Sequence, residues 1–250
     1  MKIATSAEIR SRAWSAMSAT WSTVLSVTCA ISLISYAVSL VTSAIPGVGE
    51  LLSLAATMFL SILTLGLVNG MLGYLRGRFI TFDCIQSMFP CWKQALIFTV
   101  WMFLCIMGWM MIGFAVSMVG GFIGRLLDSS GTVSMLLALL GLIVMLVLLI
   151  RALLDYSVAQ CVFVDNPNIG ARNALRRSKE MMHGYRWHYV KVKFPVYLMM
   201  IAISVITSLL ANVLPTMAVT LIGSILAIAP NVMMRYFEPV MYDELQRIGR

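Results

Sequence analysis

Seventeen of the 18 Lys and Arg residues fall in every second gap between long apolar stretches, and only Arg125 falls in the others. Short cytoplasmic loops retain Lys and Arg, so this asymmetry marks a chain that crosses a membrane repeatedly, and it orients the crossings. Composition agrees. The chain is 60% hydrophobic and 11% charged, with mean hydropathy +0.92, whereas soluble domains carry about 25% charged residues. A soluble globule of 250 residues could not hide this much apolar surface.

A span needs roughly 20 apolar residues. Six are predicted: 22–45, 51–74, 95–118, 133–154, 194–213 and 216–236. The first, third and fifth gaps hold Ile45-Pro46-Gly47-Val48-Gly49-Glu50, Arg125 with Asp128-Ser129-Ser130-Gly131, and Leu214-Pro215. The second and fourth hold the basic residues, as do both chain ends. The expectation is an all-α, polytopic membrane protein with both termini cytoplasmic. Lys2, Arg10 and Arg12 precede an apolar stretch too long for a signal-peptide core, so the first span reads as uncleaved. The +8 charge sits in short loops beside apolar spans, where anionic headgroups account for it, so nucleic acid is not an expected partner.

The six helices read as three repeated hairpins, approximately 1–78, 79–165 and 166–250, each entered through a short amphipathic segment ending in Trp21, Trp92 or Trp187. Interfacial Trp belongs at such places. Thr5-Ser6-Ala7-Glu8 has the pattern of a capping box and puts Ile9, Ala13, Trp14 and Met17 on one face. The middle lead-in, Thr81 to Met88, is short. The third is the clearest. Asn168 is placed to cap it and Gly184 to end it. Ala171, Ala174, Leu175, Ser178, Met181 and Met182 form one stripe, and Arg172, Arg176, Arg177, Lys179 and Glu180 the other. A basic amphipathic helix of this kind is expected to lie in the headgroup plane.

Small and weakly polar residues mark helix contacts in lipid. Thr28, Ser32, Ser35 and Ser39 make one such stripe. Ser53, Thr57, Ser61 and Thr64, leading to Gly66 and Gly70, make a second. Gly113, Ser117 and Gly121 make a third, and Thr216, Thr220 and Ser224 a fourth. Packing is their plain role, and lining a polar pore is the alternative. Pro230 is expected to kink the last span and free a carbonyl near Asn231.

Little in the sequence suggests catalysis. Once helix ends are set aside, no Asp, Glu, Lys, Arg or His falls within an expected membrane core, where ion-coupled transporters place them. HExxH, Walker A, GxSxG and GxGxxG patterns are absent. Catalytic residues, cofactor and metal are therefore expected to be none. Cys29, Cys84, Cys91, Cys105 and Cys161 form no CxxC pair and read as small packing residues. Met107 and Met111 with Cys105 have a soft-metal flavour, though Met also fills gaps between helices. Arg151 and Asp155, spaced i, i+4, read as an ion pair at the inner end of the fourth span. His183 and His188 straddle Gly184 and, with Tyr185, Arg186 and Trp187, are placed to touch a headgroup or a partner. Asp165-Asn166-Pro167 reads as a turn and helix start.

Three groups of residues fall in order along the chain. The first is Leu65-Gly66-Leu67 with Tyr74-Leu75-Arg76-Gly77. The second is Tyr156-Ser157, Asp165-Asn166-Pro167 and Ala174-Leu175-Arg176-Arg177-Ser178-Lys179-Glu180-Met181-Met182-His183-Gly184 with Trp187. The third is Pro230, Tyr236-Phe237 and Tyr242-Asp243-Glu244-Leu245. Together they resemble, over nearly the whole chain, a bacterial integral-membrane family of unknown function. That family is number nine hundred and seventy-five in the domain-of-unknown-function series. More distantly the chain is similar to the membrane domain attached to some glycerophosphodiester phosphodiesterases. It departs from the usual form in its Met-rich third span and in Ala171-Arg172-Asn173, and an attached catalytic domain is not expected. The resemblance implies the six-helix layout and a bacterial origin, and no catalytic residues.

The expected role is therefore a non-enzymatic protein of the bacterial inner membrane. It would bind a lipid, an amphipathic peptide or a partner membrane protein through Arg172, Arg176, Arg177 and Lys179. A transporter or channel for an uncharged or hydrophobic solute is the alternative.

Overall fold

The computed structural model describes residues 4–43, 49–80, 87–127, 131–211 and 215–248. The expected turns at 45–48, 128–130 and 214, and most of the middle lead-in, lie outside them. Eight α-helices are described. Four precede the fourth gap: α1 Ser6–Ser43, α2 Gly49–Leu75, α3 Trp92–Leu127 and α4 Thr132–Asp155. Two short helices follow, α5 Ala159–Asp165 and α6 Ala171–Met182. Two long ones end the chain, α7 Arg186–Leu210 and α8 Thr216–Ile248. Single 3₁₀ turns at Phe89–Cys91 and Pro167–Ile169 lead into α3 and α6. Long helices pack on their sequence neighbours, α1 on α2, α3 on α4 and α7 on α8, and α1 also packs on α8.

Five segments among the described residues are long and apolar enough to cross a membrane: Ser6–Ser35, Leu52–Leu75, Phe89–Leu126, Thr132–Asp165 and Arg186–Leu210. Leu136, Leu139, Leu140, Ile143 and Val147 of α4, and Phe103, Phe114 and Phe122 of α3, are exposed. A helix apolar on every side is stable in this exposure only where lipid covers it.

The first lead-in is not a separate helix. Residues 6–43 run as one helix of 38 residues, about 57 Å at 1.5 Å per residue, with no break at Trp21. The capping box forms as expected. The Thr5 N–H donates to Glu8 Oε2 at 2.7 Å and the Glu8 N–H to Thr5 Oγ1 at 3.4 Å. Ile9, Ala13 and Met17 are buried, but Trp14 is 57% exposed. Residue 14 lies 100° round the helix from Ala13, and Ala16 takes the inward place.

α6 starts one residue after Gly170 (φ 81°, ψ 152°) rather than after Asn168. The turn Pro167–Ile169 occupies the place where Asn168 would cap, and Asn168 Oδ1 instead accepts from Gln94 Nε2 at 3.5 Å. Only glycine adopts that backbone without strain. Gly184 (φ 88°) follows the end of α6, as its place in the sequence implies. Ala171, Ala174, Leu175, Ser178 and Met182 are buried, and Arg172, Arg176, Arg177 and Lys179 are exposed. The apolar stripe rests on α3, α4 and α5, so protein covers it and not lipid.

The buried core gathers at the end of the bundle where the basic residues lie. α5 threads its middle with Ala159, Cys161, Val162, Phe163 and Val164 all buried. Phe163 stacks on Phe98 of α3 at 4.5 Å between ring centres. Tyr236, Phe237 and Met241 of α8 close the other side. The Tyr236 hydroxyl meets Thr20 of α1. In α8 Pro230 has no N–H for the Leu226 carbonyl, and at the next position Asn231 Nδ2 donates to the Ala227 carbonyl at 2.7 Å.

Away from this core α3 and α4 cohere through small residues. A Cβ on Gly141 would stand 2.4 Å from the Ser117 Cα, and one on Gly113 2.5 Å from the Met145 Cβ. Ser117 Oγ donates to the Ala138 carbonyl at 3.1 Å and Ser134 Oγ to the Gly121 carbonyl at 2.9 Å. On α2, Thr57 and Thr64 bond to their own helix, and Ser61 also meets Thr99 of α3 at 3.1 Å. Ser61, Ser117 and Ser134 thus join neighbouring helices, whereas Thr57 and Thr64 bond within α2. Gly141→Leu should therefore lower the unfolding midpoint in detergent, at a cost of about 1–3 kcal/mol for forced overpacking. Gly108→Leu, where nothing stands within 4 Å of a Cβ, should leave it unchanged. Equal midpoints for the two variants would contradict the close α3–α4 approach.

Candidate site at the basic end of the bundle

Asp165, at the end of α5, joins three distant stretches of chain. Its Oδ1 accepts from Arg76 Nη1 at 2.5 Å. Its Oδ2 accepts from the Tyr242 hydroxyl at 2.9 Å and from Gln246 Nε2 at 3.0 Å. Gln246 closes the ring, taking Arg76 Nη2 on its Oε1 at 3.2 Å. Burial, then the charge on Asp165, holds the Tyr242 phenol well above its ordinary pKa, so it stays a donor. The Asp165 hydrogen bond likewise strengthens the hold of Arg76 on its proton. Sequence reading gave Asp165 only a turn. The partners lie 89 and 77 positions away, and spacing carries no sign of them.

Asp155 is the second anchor. It pairs with Arg186 and not with Arg151. Arg186 Nε stands 2.5 Å from Asp155 Oδ1, and the two atoms are misaligned for a directed hydrogen bond, so the contact is an ion pair. Asp155 is buried at the end of α4 and faces α6, where the Ser178 hydroxyl donates to its backbone carbonyl at 2.7 Å. Arg151, one turn earlier, is exposed. The i, i+4 spacing permitted their pairing, but the inward turn of Asp155 prevents it. Two further pairs close the end. Arg12 meets Glu244 at 2.8 Å, and Lys193 meets Glu238 at 3.0 Å.

Arg172, Arg176, Arg177 and Lys179 share the outward face of α6. Arg176 is held by Glu180 at 3.0 Å, an exposed pair of little energetic weight. His183 is exposed at the end of α6, and His188 lies in α7 with its Nε2 buried and unpartnered. Met111, 68% exposed, and Met107 lie on the outer side of α3. Among the described residues no three His, Cys, Asp or Glu side chains converge on a metal position.

Beside this face a cleft of about 590 Å³ separates α4 from α7. Val147, Ile150, Leu154 and Val190 make apolar walls, and Arg151, Arg186 and Trp187 stand at it. Trp187 is 77% exposed. Arg186 is committed to Asp155, whereas Arg151 has no ion pair or hydrogen bond among the described residues. The arrangement offers one free guanidinium beside a greasy channel, which suits a phosphate carrying acyl chains.

Replacing Asp155 by Asn should destabilise the fold by about 1–3 kcal/mol, the cost of breaking a charge-assisted contact on a buried group. Arg151→Gln should leave the unfolding midpoint in place. Asp165→Asn should fall with Asp155→Asn, and its loss should be non-additive with that of Arg76→Gln. A midpoint drop in Arg151→Gln as large as that in Asp155→Asn would restore the i, i+4 pair.

The profile of the family described as "Protein of unknown function (DUF975)" matches residues 1–195. The extent is shorter than the motifs suggested, and the Pro230-to-Leu245 group lies beyond it. No curated protein and no solved structure matches the chain. With a match over more than three quarters of its length, the chain belongs to this family of unknown function.

Proposed function

We propose that the protein is a non-enzymatic, six-span protein of the bacterial cytoplasmic membrane, built as three repeated hairpins with both termini in the cytoplasm. It binds anionic phospholipid, or an acidic amphipathic partner, at its basic end. One observation carries this reading. The apolar stripe of α6 is buried in protein, so its four cations are held outward on a fixed platform beside the α4–α7 cleft. Each cation near an anionic surface is worth about 1 kcal/mol, enough for four of them to select anionic over zwitterionic headgroups. In the cleft, Arg151 takes the phosphate, Trp187 sits at headgroup level and the acyl chain lies along Val147 and Ile150.

The test compares wild type with a variant in which Arg172, Arg176, Arg177 and Lys179 are all Gln. Native mass spectrometry after extraction, together with binding of phosphatidylglycerol vesicles by protein in nanodiscs, should show anionic lipid enriched on wild type and lost from the variant. Arg151→Gln should lose the tightly retained lipid alone. Unchanged retention in both variants removes the proposal, and solute uptake into proteoliposomes then examines the transporter alternative.

A further inference from the structure

A second cavity, of about 350 Å³, lies further along α7, between α2, α5, α7 and α8. It begins near the basic end and runs inward. Lys193 is about 10 Å along α7 from Arg186, and Thr64 is about 17 Å along α2 from Leu75 at the helical rise of 1.5 Å per residue. Its depth therefore approaches half a span. Lys193 and Glu238 fall just outside the predicted spans and Arg235 at the edge of one, but the fold brings all three to this one wall.

The charges there do not cancel. Lys193 and Glu238 pair at 3.0 Å with side chains 12% and 29% exposed. Lys193 also sits over the Tyr189 ring at 4.5 Å from its centre, and the Tyr189 hydroxyl donates to the same Glu238 oxygen at 3.4 Å. Arg235 is half-buried on the same wall, with no ion pair or hydrogen bond among the described residues. Two cations thus face one carboxylate. A half-buried guanidinium without a partner is costly and calls for an anion. Opposite it, Val68, Met200 and Met234 supply apolar surface. Tyr197 is exposed, so the cavity opens sideways on the apolar flank of the bundle.

We propose that this cavity binds one amphiphilic organic anion, its charged head on Arg235 beside Lys193 and its apolar tail against Met200 and Met234. The site is separate from α6 and from the α4–α7 cleft, and it does not depend on the role given to them. Snorkelling alone would leave Arg235 solvated at the interface with no preference for an anion in the cavity.

Calorimetric titration of the full chain in an uncharged maltoside detergent tests this, with octanoate and dihexanoylphosphatidylglycerol as probes and octanol as the neutral control. Saturable binding of either anion is expected. Arg235→Gln should weaken it about tenfold or more, the size of one charge-assisted bond. Arg235 holds no partner, so this variant should fold. Glu238→Gln, which removes the competing carboxylate, should tighten the same anion. Octanoate binding assigns a free carboxylate, and binding of the phospholipid alone assigns a headgroup. The variant with four Gln on α6 should bind as wild type does, which separates this site from the vesicle-binding surface. Binding of neither anion, equal binding of octanol, or binding unmoved by Arg235→Gln would overturn the proposal.

Discussion

A buried or half-buried carboxylate must be met by donors, and Asp165 is met by three from two different helix ends. Arg76 lies just past α2, and Tyr242 and Gln246 near the end of α8. Their convergence on one residue ties α5 to the end of α2 and to the last turns of α8. The same rule works at Asp155, where Arg186 at the start of α7 is drawn to the end of α4 across the length of α6. Truncating Asp165 would leave its three donors without their shared acceptor, and truncating Arg186 would leave the Asp155 carboxylate buried without its counter-charge, so these contacts specify the arrangement of the end more than they add to its stability. Packing of α5 follows from them, with Phe98 against Phe163 and Tyr236 against Thr20 filling the space the polar network encloses.

Beyond that end the forces change. Lipid is as apolar as Leu and supplies no drive for two helices to associate. α3 and α4 have little to hold them except close approach, and Gly113, Gly124 and Gly141 provide it by letting the partner backbone in. The molecule is thus built in two regimes, a conventional core with buried aromatics at the charged end and a hairpin joined by glycine contact away from it. Charged groups with buried partners gather in the first regime, where the core holds them in place.

The sequence carried the all-helical class, the apolar segments, the basic alternation, the capping box at Thr5 and the stop at Gly184. Each depends on local period or on charge near a helix end. It also carried the two faces of α6, since a 3.6-residue period needs no knowledge of the neighbour. What covers the apolar face was not legible. A stripe of Ala171, Ala174 and Leu175 is the same whether lipid or α5 lies beneath it. The partner of Asp155 was misread for the same reason. A spacing of four makes a contact possible, but burial of one residue and exposure of the next turn decide against it. The Asp165 network was invisible because every bond in it joins residues more than seventy positions apart, apart from the one between Tyr242 and Gln246.

The charged wall of the second cavity shows how a span boundary misleads. Lys193 and Glu238 stand just outside the predicted spans 194–213 and 216–236, and Arg235 stands at the edge of one. Counting residues along each helix separately puts all three at the interface. Helices are not cut at the interface, however. α7 begins at Arg186 and α8 continues to Ile248, so the ends overlap neighbours whose own spans start at other depths. Thr64 lies in the middle of α2, yet it borders the same cavity as Glu238. The depth of a charge is therefore set by what packs beside it, and its distance from the end of its own apolar run is a poor guide. Arg235 follows that rule. It is half-buried on a wall it shares with Met200, Met234 and Tyr197, the Glu238 carboxylate on that wall is taken by Lys193, and no other carboxylate among the described residues pairs with it.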